Sequence, residues 1–371
     1  MQTIARDGLT TAQVIQIVTD PVIEVDAGLE LLDTSNAFVE DISEWLIPGG
    51  SSIELSSYRT IHRTCSLKLS TELNWGKARV RPYMTLTSAT GAFRANLGVF
   101  ILSTPSTVAG EDLQTWEVQG YDLLEVLDHP HGESHLVASG TAYLAAVSGL
   151  VSAAGLPFTA TAAGDAPTLP ADRLWPIDPD TTTLNIVNDL LGSAGYGAIY
   201  ADASGTLRAR PYQSPADRAV EWTYDAQDAR TIVGPMREIR AEFTDASNRW
   251  VGIIDDPEWG AVSEGNGLYT VTNQSDGVTS IDARGRTITR VERLGAANQA
   301  SLVSRVNSMV DSDKRVASEM PNLSVGPNPL HGHFDVIQVT DTDLGFDSKC
   351  VVRSWSLSLD GSDAQLDVRA V

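Results

Sequence analysis

The chain has 371 residues, more than one ordinary core fills, so two or three domains are expected. Hydrophobic residues make up 42% and charged residues 20%, which excludes a disordered chain. The net charge is -22, from 48 acidic against 26 basic residues spread along the whole length, which argues against nucleic-acid recognition through a basic surface; its plainest use is solubility.

The opening MQTIARDGLTT lacks the basic, then apolar, then small-residue order of a signal peptide. No stretch reaches the length of a membrane span, so no membrane anchor is expected and the chain is expected to fold in a cytoplasm. Residues 14–126 read as strands. VIQIV, IEVD, LELLD, SIELS, IHRTCSLKLS, ARVRPYMTL, LGVFILS and TWEVQGYD alternate or run apolar, and PGGSS, SATGA and TPSTVAGED punctuate them as turns. From Cys65 to Leu69 the odd positions face a core and the even ones face water. In Arg79-Val80-Arg81 two charges flank one apolar residue, as on a half-solvated strand. Short strands at this spacing predict a sandwich or barrel-like first domain over 1–126.

Residues 127–216 change character. Leu144, Val147, Leu150 and Val151 repeat at helical spacing between Ser139 and Ala154. Ser139 or Thr141 is a candidate cap, and Gly155 with Pro157 ends the helix. A second helix follows Thr181-Thr182-Thr183, with Leu184, Val187, Leu190 and Leu191 on one face. Ala198 to Pro211 reads as a hairpin turning at Asp202–Gly205. The prediction is a small helix–helix–hairpin domain whose halves are separated by the Pro-rich loop Ala166 to Asp180.

Residues 217–371 return to strands: AVEWTYD, REIRAEFT, NRWVGIID, LYTVTNQ, RTITRVER, FDVIQVTD, KCVVRSWSLSLD and AQLDVRAV. One long helix is predicted from Ala297 to Met320, with Leu302, Val303, Val306, Met309, Val310, Val316, Ala317 and Met320 near one face. The fold class is therefore β-rich α+β: two β-barrel-like domains, 1–126 and 217–371, flanking a small α+β domain at 127–216.

Sets of residues that carry chemistry are sparse. His129, His131 and His135, and then His331 and His333, lie in turns without H-E-x-x-H or C-x-x-C spacing, so they read as surface-loop histidines and no metal site is expected. The doublets Asp178/Asp180, Asp311/Asp313 and Asp341/Asp343 lack the glycine and closing glutamate of a calcium loop. There is no G-x-S-x-G elbow and no phosphate-binding glycine loop, so neither catalytic nor cofactor-binding residues are nominated. Cys65 and Cys350 sit in apolar alternating runs and read as buried free thiols, with a disulfide between them as the alternative. The eight tryptophans lie mostly in such runs too, where they pack a core rather than bind sugar.

The run from Tyr58 to Asp122 resembles the first domain of tail-hub, or "minor tail", proteins of long-tailed bacteriophages, closest to those of actinobacterial phages. The order of its pieces carries the resemblance. Leu31-Leu32-Asp33-Thr34 and Gly49-Gly50-Ser51 lead to Ile61-His62-Arg63-Thr64-Cys65. Trp75 precedes Arg79-Val80-Arg81-Pro82-Tyr83. Asn96-Leu97-Gly98-Val99-Phe100 runs to Thr104-Pro105, and Trp116 leads to Gly120-Tyr121-Asp122. Beyond residue 126 the likeness is one of layout, including the segment Pro329 to Asp335.

The resemblance implies a structural virion protein and not an enzyme. It implies a homotrimeric hub ring at the distal end of the tail, assembled in the host cytoplasm. Two barrel-like domains per subunit would alternate around the ring and present six similar faces to a six-fold tail. The implied partners are a second and third copy, the distal tail protein, the tail tube protein, the tape-measure protein and tip or fibre proteins. DNA would pass through during genome ejection without stable binding, and an acidic bore would repel its phosphates. The resemblance also allows discontinuous domains, with a strand such as Arg237 to Phe243 returning to the first barrel. Two other readings stay open: a cell-wall-degrading or carbohydrate-binding tail-tip protein, and the hexameric distal tail ring protein.

Overall fold

The computed structural model describes residues 1–76, 78–109, 114–162, 166–228, 231, 234, 237–239, 246–256, 259–314 and 319–371. The chain opens with a helix, α1 (Thr11–Val18), where the sequence predicts a strand at VIQIV. Thr10 and Gln13 form a reciprocal capping box, and Val14, Ile17 and Val18 bury one helical face. The β-branched run mimics a strand, and the cap at Thr10 ahead of it decides otherwise.

Eight strands follow: β1 (Glu24–Leu32), β2 (Phe38–Asp41), β3 (Ser52–Ser56), β4 (Arg63–Leu69), β5 (Arg79–Ser88), β6 (Gly91–Asn96), β7 (Phe100–Ala109) and β8 (Gln114–Asp122). IEVD and LELLD join into the single strand β1. Burial alternates strictly along β4, with Arg63, Cys65, Leu67 and Leu69 inside. This is the period of two that a sheet with one covered face imposes.

In the middle region β9 (His135–Val137), α2 (Tyr143–Ala153), β10 (Phe158–Ala160), β11 (Arg173–Trp175), α3 (Thr183–Ser193), β12 (Tyr200–Ala201) and β13 (Leu207–Ala209) form the helix–helix–hairpin unit. Thr182 caps α3 by accepting the Asn185 N–H at 3.1 Å. The N-cap of α2 is Ala142, without a side-chain bond, so neither Ser139 nor Thr141 caps it. Ser139 is held elsewhere: its hydroxyl donates to Pro170 O at 3.0 Å, tying down the Pro-rich loop. At the hairpin tip Asp202 Oδ1 accepts from the Ser204 and Thr206 N–H groups.

The last region comprises β14 (Trp222–Asp225), β15 (Arg249–Ile254), β16 (Ser263–Glu264), β17 (Gly267–Thr272), α4 (Ile281–Arg284), β18 (Thr289–Leu294), α5 (Gln299–Lys314), β19 (Glu319–Val325), β20 (Val336–Asp341), β21 (Phe346–Ser358) and β22 (Ala364–Ala370). The long helix predicted to Met320 ends at Lys314 among the described residues. Val316 and Ala317 lie outside the described residues, and Met320 belongs to β19, paired with Val368. Pairing with β22 overrides the helical spacing there. Most of the Arg237 to Phe243 segment also lies outside the described residues.

Pairing joins the first and last thirds. One sheet of thirteen strands runs β14-β20-β21-β3-β4-β8-β7-β5-β1-β2, with β6 on β5, and β22 and β19 branching from β21. The join is β21 against β3, from Ser354 opposite Ser56 to Ser358 opposite Ser52. Two separate barrel-like regions were expected; among the described residues no closed ring of strands is found, and their strands share one sheet. They also share one apolar core, in which Leu29, Ile53, Leu67 and Phe100 join Val339, Val352, Trp355 and Leu357.

The middle unit has its own core, from Leu123 and Val147 to Leu190 and Leu207, which Leu32 and Val99 enter from the large sheet. A third core packs α5 through Leu302, Val306 and Val310 onto Trp250 and Ile254 of β15. It belongs to a four-stranded sheet, β16-β17-β15-β18, held apart from the large one. The predicted second β region thus distributes its strands over two sheets. Its period-two pattern fits either sheet, so pattern alone cannot allot a strand to one of them.

Candidate functional site

Four chain segments meet at one polar junction: the start of β4, the end of β8, the hairpin β12–β13 and the loop Asn328–Asp335. The β4–β8 ladder sets Thr64 opposite Tyr121, which brings Arg63 beside Asp122. Asp122 Oδ2 accepts the Arg63 N–H at 2.8 Å and Oδ1 accepts the Leu124 N–H at 2.9 Å. Burial pushes the Asp122 carboxyl up to about 6, against the pull of those N–H groups. Arg63 itself is 2% exposed and donates through Nη1 to Leu97 O at 3.1 Å.

The loop Asn328–Asp335 carries a buried relay. Asn328 Nδ2 donates to the Tyr224 hydroxyl at 3.2 Å, which lies 2.7 Å from His331 Nε2. His331 Nδ1 lies 3.0 Å from Asp335 Oδ2, so the network fits a proton on Nδ1 and the Tyr224 hydroxyl donating to Nε2. Asp335 also accepts the Gly332 N–H at 2.8 Å and contacts the Met1 ammonium. Burial opposes its charge, yet the Met1 ammonium and His331 hold its carboxyl well below the usual range. Tyr224, Asn328, His331 and Asp335 are all buried, so the relay ties β14 to the loop before β20.

Beside the relay, aromatic rings stack. His333 lies 4.4 Å from His62 and 4.8 Å from Tyr200, centroid to centroid. Desolvation, aided by Arg63, pulls His62 down to about 4. Desolvation, with His62 and nearby arginines, pulls His333 well below its ordinary value too. Both rings are neutral near pH 7. His62 Nδ1, Arg63 Nε and His333 Nδ1 are buried without a hydrogen-bond partner.

A cleft of about 740 Å3 opens over this floor, between the large sheet and the middle unit. Arg6, Arg63, Arg81, Arg94, Arg208 and Arg210 line it. Glu30 binds Arg81 and Arg94, each at 2.6 Å, and Asp202 binds Arg208 at 2.8 Å. The Arg94 guanidinium lies 3.5 Å from the Tyr83 ring centroid, and that of Arg210 lies 4.7 Å from the Tyr200 centroid.

The residues that carry the sequence resemblance are mostly structural neighbours of this site. Pro82 faces Leu29 in a pair without ladder bonds, because Leu29 donates to Ser43 Oγ and accepts from Ile42. Its missing N–H therefore falls where β5 passes from β7 to β6. The Tyr83 hydroxyl donates to Asp41 at 3.1 Å. Gly120 lets Cys65 approach, since a Cβ there would lie 2.6 Å from its Sγ. Gly98 has φ +141, and a Cβ would meet the Phe100 ring at 2.8 Å. Phe100 is fully buried, while Trp75 and Trp116 pack on the core rim. Pro105 falls at the irregularity in the β7–β8 register, and Tyr121 pairs with Thr64 and Ile101.

The histidines divide. His331 and His333, read as surface residues, are 2% and 7% exposed, while His129 is exposed. His131 and His135 stack edge-on at 5.1 Å. Among the described residues no group of three His, Cys, Asp or Glu could hold a metal ion. The aspartate doublets serve structure. Asp178 caps the Asp180 N–H, Asp313 accepts from Trp250 and Arg290, and Asp341 binds Arg237 at 2.5 Å. Cys65 and Cys350 are free and buried, and desolvation pushes the Cys350 thiol up to about 12. No described helix is long and apolar enough to cross a membrane. Sequence reasoning missed the gathering of arginines. Arg208 and Arg210, spaced by two in the predicted hairpin, were the available signal, since that spacing puts both side chains on one face.

No family model matches the chain, and no curated protein matches its sequence. Solved structures do match in fold. A tail protein from Neisseria meningitidis aligns over 93% of this chain and 96% of its own, with TM-score 0.62 and 12% identity. The 43 kDa tail protein of a Shewanella oneidensis prophage aligns over 93% and 98%, with TM-score 0.61 and 12% identity. A prophage tail protein from Listeria monocytogenes aligns over 92% and 94%, with TM-score 0.55 and 9% identity. A chain of the Francisella PdpA–VgrG complex aligns over 94% of this chain and 53% of its own, with TM-score 0.52 and 8% identity. At these identities the likeness is one of fold: a β-rich chain with few helices, built as phage and prophage tail proteins are. The likeness does not single out actinobacterial phages.

Proposed function

We propose that this chain is a structural protein of a phage-type tail and forms the trimeric hub ring at its distal end. The observation that carries the reading is the single sheet uniting the first and last thirds through β3 and β21, in a fold shared with tail proteins over 93% of the chain. One sheet with two strand-rich halves would give each subunit two faces for its neighbours. Three subunits would then meet a six-fold tube without six copies. The ring would join tail tube and distal tail ring to tip and fibres, and pass the tape measure and DNA.

A mechanical role also accounts for the chemistry at the junction. The His331–Asp335 relay is closed to solvent, and the paired aspartates are spent on caps and arginines. We propose a mechanical and not a catalytic role for the chain.

Native mass of the purified protein tests the reading. The expected species is three times the 39.7 kDa chain. A six-subunit species would favour the distal tail ring instead.

A further inference from the structure

The arginine cleft is a strongly basic concavity on a chain of net charge -22. Of its six arginines, Arg81, Arg94 and Arg208 already hold Glu30 or Asp202. Arg6 spends its guanidinium on the carbonyls of Thr3 and Arg94 and on the Gln2 amide oxygen. Arg210 is exposed and rests over the Tyr200 ring, and Arg63 Nε is buried without a partner. His333 Nδ1, also buried and unpartnered, lies on the same floor. Leaving such groups unmade costs about 1–3 kcal/mol each, so they point to something that completes them.

We propose that this cleft docks an acidic peptide segment of a partner protein, with a carboxylate seated between Arg63 and Arg210 over the Tyr200–His333 stack. Three features favour a peptide. The cleft, about 740 Å3, is far larger than one inorganic ion needs. Its cations are interleaved with Asp7, Glu30 and Asp202, which suits separated carboxylates and not a continuous phosphate backbone. The acidity of the rest of the chain repels an acidic segment elsewhere, which gives selectivity by exclusion. The segment would bridge the large sheet and the middle unit, because Arg63 belongs to one and Arg210 to the other.

The test uses the full chain and a fluorescein-labelled hexaglutamate peptide, followed by anisotropy at low and physiological salt. Saturable binding at one site per chain is expected, weakening with salt. Arg210→Gln should weaken it about tenfold, the loss of one charge-assisted hydrogen bond. The exposed residue keeps folding out of the comparison, and unchanged circular dichroism of the variant checks this. Arg59→Gln, which removes an exposed arginine paired with Glu54 outside the cleft, should leave binding unchanged. The proposal is overturned by absence of saturable binding or by equal binding to the Arg210→Gln protein. It is equally overturned if inorganic phosphate at matched charge displaces the peptide, or if a single-stranded oligonucleotide of equal charge binds as tightly. These outcomes do not depend on the number of subunits, so the hub reading stands or falls separately.

Discussion

The strand β4 buries alternate residues and the loop Asn328–Asp335 nearly all of its own, and the two were unequally readable. In β4 the burial pattern follows from the letters alone, because each residue's face is set by its neighbour. The loop reads as a polar turn with two histidines, yet Asn328, His331, His333 and Asp335 are all inside. The first region is stabilised by apolar area, about 1.5–3 kcal/mol for each large side chain. The second is stabilised by the hydrogen-bonded network of Asn328, Tyr224, His331 and Asp335, which is strong only while complete. The two regions should therefore fail differently when one residue is changed.

The largest effect is expected at Asp335. Asp335→Ala strands His331 and the Gly332 N–H in a dry site, and should cost about 3–5 kcal/mol in urea unfolding. A cost comparable to a surface substitution would mean that the relay carries no stability and would erase the contrast.

Acid separates the regions next. His62 binds its proton at about 4 in the folded chain against 6.5 ordinarily, so the unfolded chain holds more protons between those values. Stability should fall as pH drops from 6.5 to about 4, with His62 contributing about 3 kcal/mol. His333 acts in the same direction. Asp122 opposes them: raised to about 6, its folded form holds the proton longer, so its contribution declines as pH rises from 3.8 to about 6. Two histidines against one aspartate leave a net loss in acid. His62→Gln should flatten the unfolding midpoint against pH, and an unaltered slope would assign the acid response to other groups.

Leu67→Ala probes the strand itself. It opens a cavity in the shared core and should cost about 3 kcal/mol, with little dependence on pH between 4 and 7. Smallest is Tyr224→Phe, which removes one hydroxyl between Asn328 and His331. About 1–2 kcal/mol is expected by thermal or urea unfolding. A value near zero would show that the relay tolerates a gap.

The same contrast explains what was legible. The β-rich class, the hairpin at Asp202 and the helix after Thr181-Thr182-Thr183 each rest on residues close in sequence. So did α1, where the capping box at Thr10 and Gln13 was present but the β-branched run drew the reading to a strand. The β3–β21 pairing joins residues some three hundred apart, as Ser56 and Ser354 do, and alternation carries no label of its partner. The end of α5 failed for the same reason, since β22 recruits Glu319–Val325 from far along the chain. At the junction Arg63 and Asp122 were picked out by resemblance. Their geometry, and their meeting with Tyr200 and His333, needed the tertiary fold.

The sheet shared by both halves is proposed to make each subunit a double-faced segment of a three-membered ring. Imaging of the tail tip in particles that incorporate this chain tests it most directly. The account predicts three copies in a closed ring at the distal end of the tail, with the β4 and β20 halves alternating around the bore. Six copies in the ring, or a position away from the tail end, would contradict it.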